Sequence, residues 1–447
     1  MLCTPGCRVP LLLAAALALA AAAAGAEEPR SDAEIARDDR ISELEEKVEV
    51  LAAELEKSRS DAAMPESGTL ASAFGLGPAA SKVYQVTRGL SLGAYAEASY
   101  RKLVGDAQGA SDSTDFERLV LYTGYKFSDR ILFNSEVEFE HGTTSTTLSS
   151  GGGSVSVEFA NLDFMLRDEI NARIGLLLLP MGFINEIHEP PYFHGVARPE
   201  VERQIIPSTW RENGAGIFGN LFGDLVEYRV YAVNGLSAEG YDSTGLRAGR
   251  QSGNRAIAEH GAVTARVDWL PLEGLLVGGS VFHGNAGQNQ TIAATPLPDT
   301  PTTIWDAHAE FERFGLHLRG LVTMAHLRDA GRLTTALRAI GEIGATETVA
   351  SELLGVYGEA AYDVLPLLFR DTEMSLEPFF RYEYLDTQHG VPSGFAANPN
   401  REIEIHTVGV SFKPIPQVVL KADYRSRDAK GGARLSDEFN LGMGLAF

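Results

Sequence analysis

The chain has 447 residues with 60 acidic against 38 basic side chains, a formal net charge of −22, and two cysteines. So acidic a chain offers nucleic acid no electrostatic footing and lacks the basic patch that would bind an anionic lipid surface. Cys3 and Cys7 both precede the first apolar run, so once that segment is removed disulfides, thiolate catalysis and cysteine-ligated metal are excluded.

Residues 1–26 read as a signal peptide. Arg8 supplies the positive start, Val9 to Ala24 the apolar stretch, and Ala24-Gly25-Ala26 the small-residue cleavage site before Glu27. As an anchor the run falls short of the ~20 apolar residues a spanning helix needs. Residues 27–60 follow as a highly charged segment in which Ile41, Leu44, Val48, Leu51 and Leu55 are spaced 3, 4, 3, 4. That spacing predicts a short coiled-coil helix, set against the alternative of a single solvated helix with a narrow apolar stripe. Upstream the seam fails at Glu34 and Arg37, and a free helix of two heptads is marginal, so something else must hold its copies together. Residues 61–89, rich in Ala, Ser, Gly and Pro, read as a linker.

From residue 90 to 447 the sequence breaks into about sixteen segments of period-two apolarity, ~10 residues each, which is the signature of a transmembrane antiparallel β-barrel. In 130–141, Ile131, Phe133, Val137 and Phe139 alternate with Asn134, Glu136, Glu138 and Glu140. In 373–386, Met374, Leu376, Phe380, Tyr382 and Tyr384 alternate with Glu377, Arg381 and Glu383. Charges on every second residue suit a wet interior with lipid outside, whereas a soluble β-sandwich of this strand number is unusual. Connections alternate between tight ones, such as Ser128-Asp129 and Asp168-Glu169, and longer ones rich in Gly, Ser, Thr and Asn, as a barrel with a periplasmic and an outer side requires. The last segment alternates Phe439, Leu441, Met443, Leu445 and Phe447, so it is expected to close the barrel. An even strand number puts both ends in the periplasm, with the heptad helix projecting below the outer membrane.

One connection stands apart. Residues 180–212, the third long loop, mix Glu186, Glu189, Glu200 and Glu202 with Arg198, Arg203 and Arg211 and carry prolines, aromatics and Ile205-Ile206. So apolar a loop must pack against something, most simply folded into the lumen as a constriction whose opposed charges sort solutes. Inward parity on the strands nominates Arg118, Arg173, Arg229 and Arg381 together with Glu136, Glu138 and Glu140 as pore lining. The bland alternative is that such arginines pair with neighbouring carboxylates to hold the wall.

The chain resembles the phosphate-selective porin O/P family in its short amino-terminal helix, the sixteen-strand layout, LLLLPMGFINEIHEPP leaving the fifth strand, the following RQIIPSTWRENGAGIFG and the terminal phenylalanine. The resemblance covers nearly all of residues 31–447. It implies trimeric barrels for passive solute diffusion with the third loop folded inward, and a terminal Phe447 read by the barrel assembly machinery. Phosphate selectivity in that family goes with arginine ladders and lysine clusters. Here the inward parities are mixed and Lys421 is the clearest inward lysine, so phosphate specificity does not carry over.

Enzymatic readings find little footing. His188-Glu189 and His194 are interrupted by Pro190 and Pro191 and miss the spacing of a zinc helix. His308 and His317 have no spacing that selects them as a catalytic group, and GGGS at 151–154 sits at a loop end. The sequence thus predicts a non-enzymatic outer-membrane porin without cofactor or metal. An anion- or phosphate-selective channel is one alternative. The other is a structural barrel tethered to peptidoglycan through the helix.

Overall fold

The computed structural model describes residues 40–53, 71–105, 111–147, 151–369 and 372–447. The expected signal peptide, Leu55 and the outer parts of the predicted helix and linker lie outside the described residues. Residues 40–53 are an α-helix, α1, with Ile41, Leu44, Val48 and Leu51 exposed.

The period-two segments become sixteen antiparallel strands: β1 Gly89–Val104, β2 Ser113–Ser128, β3 Ile131–Glu140, β4 Val155–Arg167, β5 Ile170–Leu178, β6 Arg211–Leu221, β7 Val226–Asn234 and β8 Gly261–Leu272. The second half continues with β9 Leu275–Asn285, β10 Pro301–Arg313, β11 Leu316–Leu327, β12 Glu352–Tyr362, β13 Ser375–Gly390, β14 Glu402–Ile415, β15 Val418–Ala429 and β16 Asp437–Ala446. Each strand pairs with its sequence neighbours, and β16 returns to β1 with Tyr95 opposite Ala446 and Arg101 opposite Asn440, closing the barrel. Phe447 completes the seam. Its N–H donates to the Ala94 carbonyl at 2.9 Å and its carbonyl accepts from Ala94 N–H at 2.8 Å. Closure leaves no sheet edge, which is what allows strands to cross a bilayer.

Alternation sets the two faces. Leu119, Leu121, Ile174, Val263, Trp305, Val408, Leu441 and Met443 are exposed on the outside, while Asn134, Glu136, Asp163, Arg173, Asp268, Arg381 and Asp423 are buried on the inside. Turns at the end where β1 begins and β16 finishes are mostly tight. Gly274 shows why such turns need glycine: φ is +81°, and a Cβ there would collide with the Glu312 carbonyl oxygen. At the opposite end the connections are longer, and several of them pack together. The third loop, residues 235–260 and a helix that the sequence reading left unassigned, α4 Ala330–Ile340, share one apolar cluster containing Ile205, Ile206, Trp210, Leu236, Tyr241, Leu246, Leu333 and Leu337. Two short helices precede α4 in the chain, α2 Lys82–Gln85 and α3 Glu200–Gln204.

The stretch expected to be a linker differs from that expectation. Over residues 76–83 the chain is buried, and Leu76, Ala79 and Ala80 form a cluster with Tyr95, Tyr122 and Phe159 of the inner wall. The small residues that read as a linker are what lets a backbone lie this close to the wall.

Candidate functional site

The third loop leaves β5 and returns to β6 through a clamp at its neck. Leu179 N–H donates to the Trp210 carbonyl at 3.0 Å, and Asn185 Nδ2 donates to the carbonyls of Leu179 and Trp210 at 2.6 and 2.9 Å. Above the neck the loop is held by its own carboxylate. Glu202 accepts from the N–H groups of Phe183 and Ile184 at 2.8 and 2.7 Å and from the Tyr357 hydroxyl at 2.6 Å. Glu202, nominated as a constriction residue, is therefore buried as the loop's internal fastening and does not face a passage.

From the neck the loop crosses to the far wall. Lys421 Nζ donates to the Phe193 and Gly195 carbonyls at 2.7 and 2.9 Å, Arg381 donates to the carbonyls of His194 and Ala197, and Val196 N–H donates to Asp423 at 2.6 Å. His194 sets Nδ1 3.0 Å from Glu359 and Nε2 3.0 Å from Glu377, so only the imidazolium satisfies both contacts. Burial opposes that charge, but the two carboxylates outweigh it and the pKa of His194 is raised. His188 faces the other side, with Nε2 3.2 Å from Glu136, and burial together with Arg198 holds its pKa down at about 3. The two histidines thus serve different walls and do not come together.

The inward arginines are zippered to carboxylates on their own or adjacent strands. Arg118 lies 2.5 Å from Glu97 and 3.1 Å from Glu138, Arg173 is 2.8 Å from Asp163, and Arg319 is 2.5 Å from Glu310. Arg229 and Arg266 share Asp268 at 2.5 and 2.7 Å, and Glu186 approaches both at 3.4 Å. Arg381 lies 2.6 Å from Glu359, and Arg425 and Arg427 both reach Glu438. The loop and the lumen-filling segment bury this wall, and buried charges persist only when paired. The arginines nominated as pore lining are in this way members of neutralised pairs. Glu140 accepts from the Ser154 hydroxyl at 2.6 Å near the rim. The sequence reading missed Asp163 and Asp268 as partners, although each shares the inward parity of the arginine it serves, and it missed Asp306, which serves His308. His308 has one nitrogen on Asp306 at 2.6 Å and the other on Asp268 at 2.8 Å, which leaves none for a serine.

One charged region escapes neutralisation. At the long-loop end Arg247 donates to the Arg203 carbonyl at 3.3 Å, and Arg250 donates to the Thr209 carbonyl at 2.6 Å. Among the described residues neither has a carboxylate within ion-pair distance. Burial, then Arg250 and Arg203, lowers the pKa of Arg247 to about 9. Arg203 pairs with Glu200 at 2.8 Å, and Arg211 with Glu158 at 2.6 Å. Arg198 has only a 3.8 Å approach to Glu97. At the short-turn end a cavity of ≈ 750 Å³ opens beneath Tyr192, Phe193 and His194, flanked by Glu310, Arg319, Glu377 and Lys413.

A closed sixteen-strand barrel with an apolar exterior and a charged lumen crossed by its third long loop is a porin-like transmembrane barrel. Over 378 residues the chain is 39% identical to an uncharacterized protein of Aquifex aeolicus (strain VF5), covering 84% of this chain and 83% of that one, and it belongs to the same family. No family model matches the chain. Among solved structures it is similar to Salmonella typhi OmpF in complex with daunomycin, at 11% identity over 81% of this chain and 98% of that chain, with a TM-score of 0.52. It is likewise similar to the outer membrane channel DcaP of Acinetobacter baumannii, at 13% identity over 80% and 97% of the two chains, with a TM-score of 0.50.

Proposed function

We propose that this chain is an outer-membrane porin, a homotrimer that passes small hydrophilic or charged solutes by diffusion. The observation that carries the reading is the third loop. It is anchored across a charged lumen by Lys421, Arg381 and Asp423, so that it narrows the barrel instead of capping it. A constriction of fixed side chains in a wet bore sorts solutes by size and charge. Likeness in fold to OmpF and to the channel DcaP supports this reading.

A second, finer reading is anion preference. The paired wall contributes little net field, whereas Arg247 and Arg250 keep their charge free of carboxylates at the long-loop mouth, which favours anions there. Phosphate is one candidate within that class.

The test is single-channel recording in a planar bilayer with reversal potential measured across a salt gradient, followed by added phosphate. Discrete ohmic steps support the porin, a potential of anionic sign supports the finer reading, and block by low phosphate narrows it to phosphate. Silence at every voltage, from folded wild type and from the lumen variants described next, overturns the porin.

A further inference from the structure

Residues 71–88 enter the barrel from the short-turn end, ahead of β1, and occupy the side of the lumen between the third loop and β2–β6. Their ties are side-chain contacts. The Tyr84 hydroxyl donates to Asp163 at 2.5 Å and accepts from Arg173 at 2.9 Å, Asn134 Nδ2 donates to the Ala80 carbonyl at 2.8 Å, and Ala79 N–H donates to Glu189 of the third loop at 3.0 Å. Phe74 sits edge-on to Tyr84 and to Phe218 on β6, with centroids 5.0 and 5.2 Å apart. No ladder joins the segment to the wall. Every barrel strand has both neighbours without it, and it is joined to the barrel only through β1.

What lies behind the segment is the informative part. The wall it covers is mixed: Tyr95, Tyr122 and Phe159 pack against Leu76, Ala79 and Ala80, while Asn134, Asp163 and Arg173, with Arg229 beyond, are inward and polar. At the polar positions a permanently filled interior would be better served by apolar side chains like the neighbouring Tyr122 and Phe159, because a buried ion pair gains little over them. A wall that must periodically meet water needs charges, and it needs them satisfied when the segment is in place. The Tyr84 hydroxyl and the Phe74 carbonyl, which approaches Arg173 Nη1 at 3.4 Å, supply that satisfaction.

We propose that residues 71–88 are a displaceable stopper, so that the channel opens when this segment withdraws from between the third loop and β2–β6. The proposal rests on the porin reading and adds its gate. Because the sixteen strands pair without the segment, it leaves without breaking a strand pair. Withdrawal also removes Ala79 from Glu189 and frees that side of the third loop.

The test uses the full mature chain, whose Cys3 and Cys7 leave with the leader or are replaced by serine. Phe74→Ala with Tyr84→Ala weakens the stopper alone, and Tyr84→Phe removes only the hydroxyl in case the double variant folds poorly. Val83→Cys, at a residue with 0% exposure in the structure, reports withdrawal by reaction with a membrane-impermeant maleimide. The expected result is rare openings and slow labelling in wild type, both rising about tenfold in the weakened variants. Unchanged open fraction together with unchanged labelling overturns the stopper and leaves the porin standing. Faster labelling without any current, in any variant, supports the stopper and overturns the porin.

Discussion

Lys421 on β15 donates its ammonium group to the main-chain carbonyl of Phe193, 2.7 Å away and 228 positions earlier in the chain. The same nitrogen lies 3.6 Å from the centroid of the Phe193 ring. A cation held between two carbonyls and an aromatic face fixes a loop tip as firmly as a neutral barrel wall allows. Lys421→Met is expected to leave both carbonyls unpaired and to lower thermal stability by about 1–3 kcal/mol. Single-channel current should become noisier as the tip moves. Unaltered noise and unaltered melting together would show that Arg381 and Asp423 hold the loop without it.

His194 predicts a pH dependence of the same tip. Its folded pKa is raised, so its contribution is complete below the ordinary histidine value and is lost as pH rises through the raised one. Glu359, Glu377, Arg381 and Lys421 surround it, with His317 beside it at 5.0 Å between ring centroids, and Lys413 pairs with Glu377 at 3.4 Å. Alkaline recordings should therefore show a more mobile constriction than those at neutral pH. His194→Gln, which keeps a donor for one carboxylate, should flatten that alkaline limb while lowering stability at neutral pH. Identical pH profiles in the two proteins would assign the effect elsewhere.

Glu189 adds to the same alkaline loss. Burial pushes its pKa up to about 8, so the folded chain keeps a proton that the unfolded chain has already released, and stability declines as pH climbs from the ordinary carboxylate range toward that value. Glu189→Gln preserves the acceptor for Ala79 N–H and removes the ionisation. Above neutral pH it is expected to stabilise the barrel by about 1–3 kcal/mol, read as a higher midpoint in heat-modified gel mobility. A destabilised variant at pH 8 would show that the carboxylate is ionised and useful.

Arg247 and Arg250 set the expected sign of selectivity. Replacing both by serine should move the reversal potential toward cations and lower stability by about 1–3 kcal/mol, because Arg250 gives up its contacts to the carbonyls of Arg247, Pro207 and Thr209. Arg118→Ser, by contrast, strips a partner from Glu97 and Glu138 and should cost about 3–5 kcal/mol of stability. If the double serine variant keeps the wild-type potential, the constriction and not the mouth decides which ion passes.

These contrasts show what could be read in advance. Strands such as β3 and β13 were legible because alternation is local: Ile131, Phe133, Val137 and Phe139 declare one face with no knowledge of their neighbours. The third loop was legible because Ile205-Ile206 and its prolines cannot stay in water. Its glutamates were not, since whether Glu202 lines a pore or fastens Phe183 and Ile184 depends on how the loop folds back on itself. The inward arginines had the right parity, but their partners lie across strand pairs whose register a single sequence does not specify. Residues 71–88 were misread for a related reason. Their Ala and Gly content signals a linker in isolation and signals close backbone approach only once Asn134, Asp163 and Glu189 are alongside.

The last prediction concerns α1, whose seam residues Ile41, Leu44, Val48 and Leu51 are 42%, 54%, 63% and 63% exposed. A helix this short does not persist alone in water, so the seam needs a partner, and identical chains held in one oligomer provide it at high local concentration. Placing aspartate at Leu44 and Leu51 introduces charge at two seam positions and forfeits about 2 kcal/mol per site in each helix. The barrel should still insert and show heat-modifiable mobility, while chemical cross-linking of solubilised protein should shift from trimer toward monomer. A cross-linked trimer of undiminished yield would place the oligomer contact on the barrel wall and leave α1 free to bind something other than its own copies.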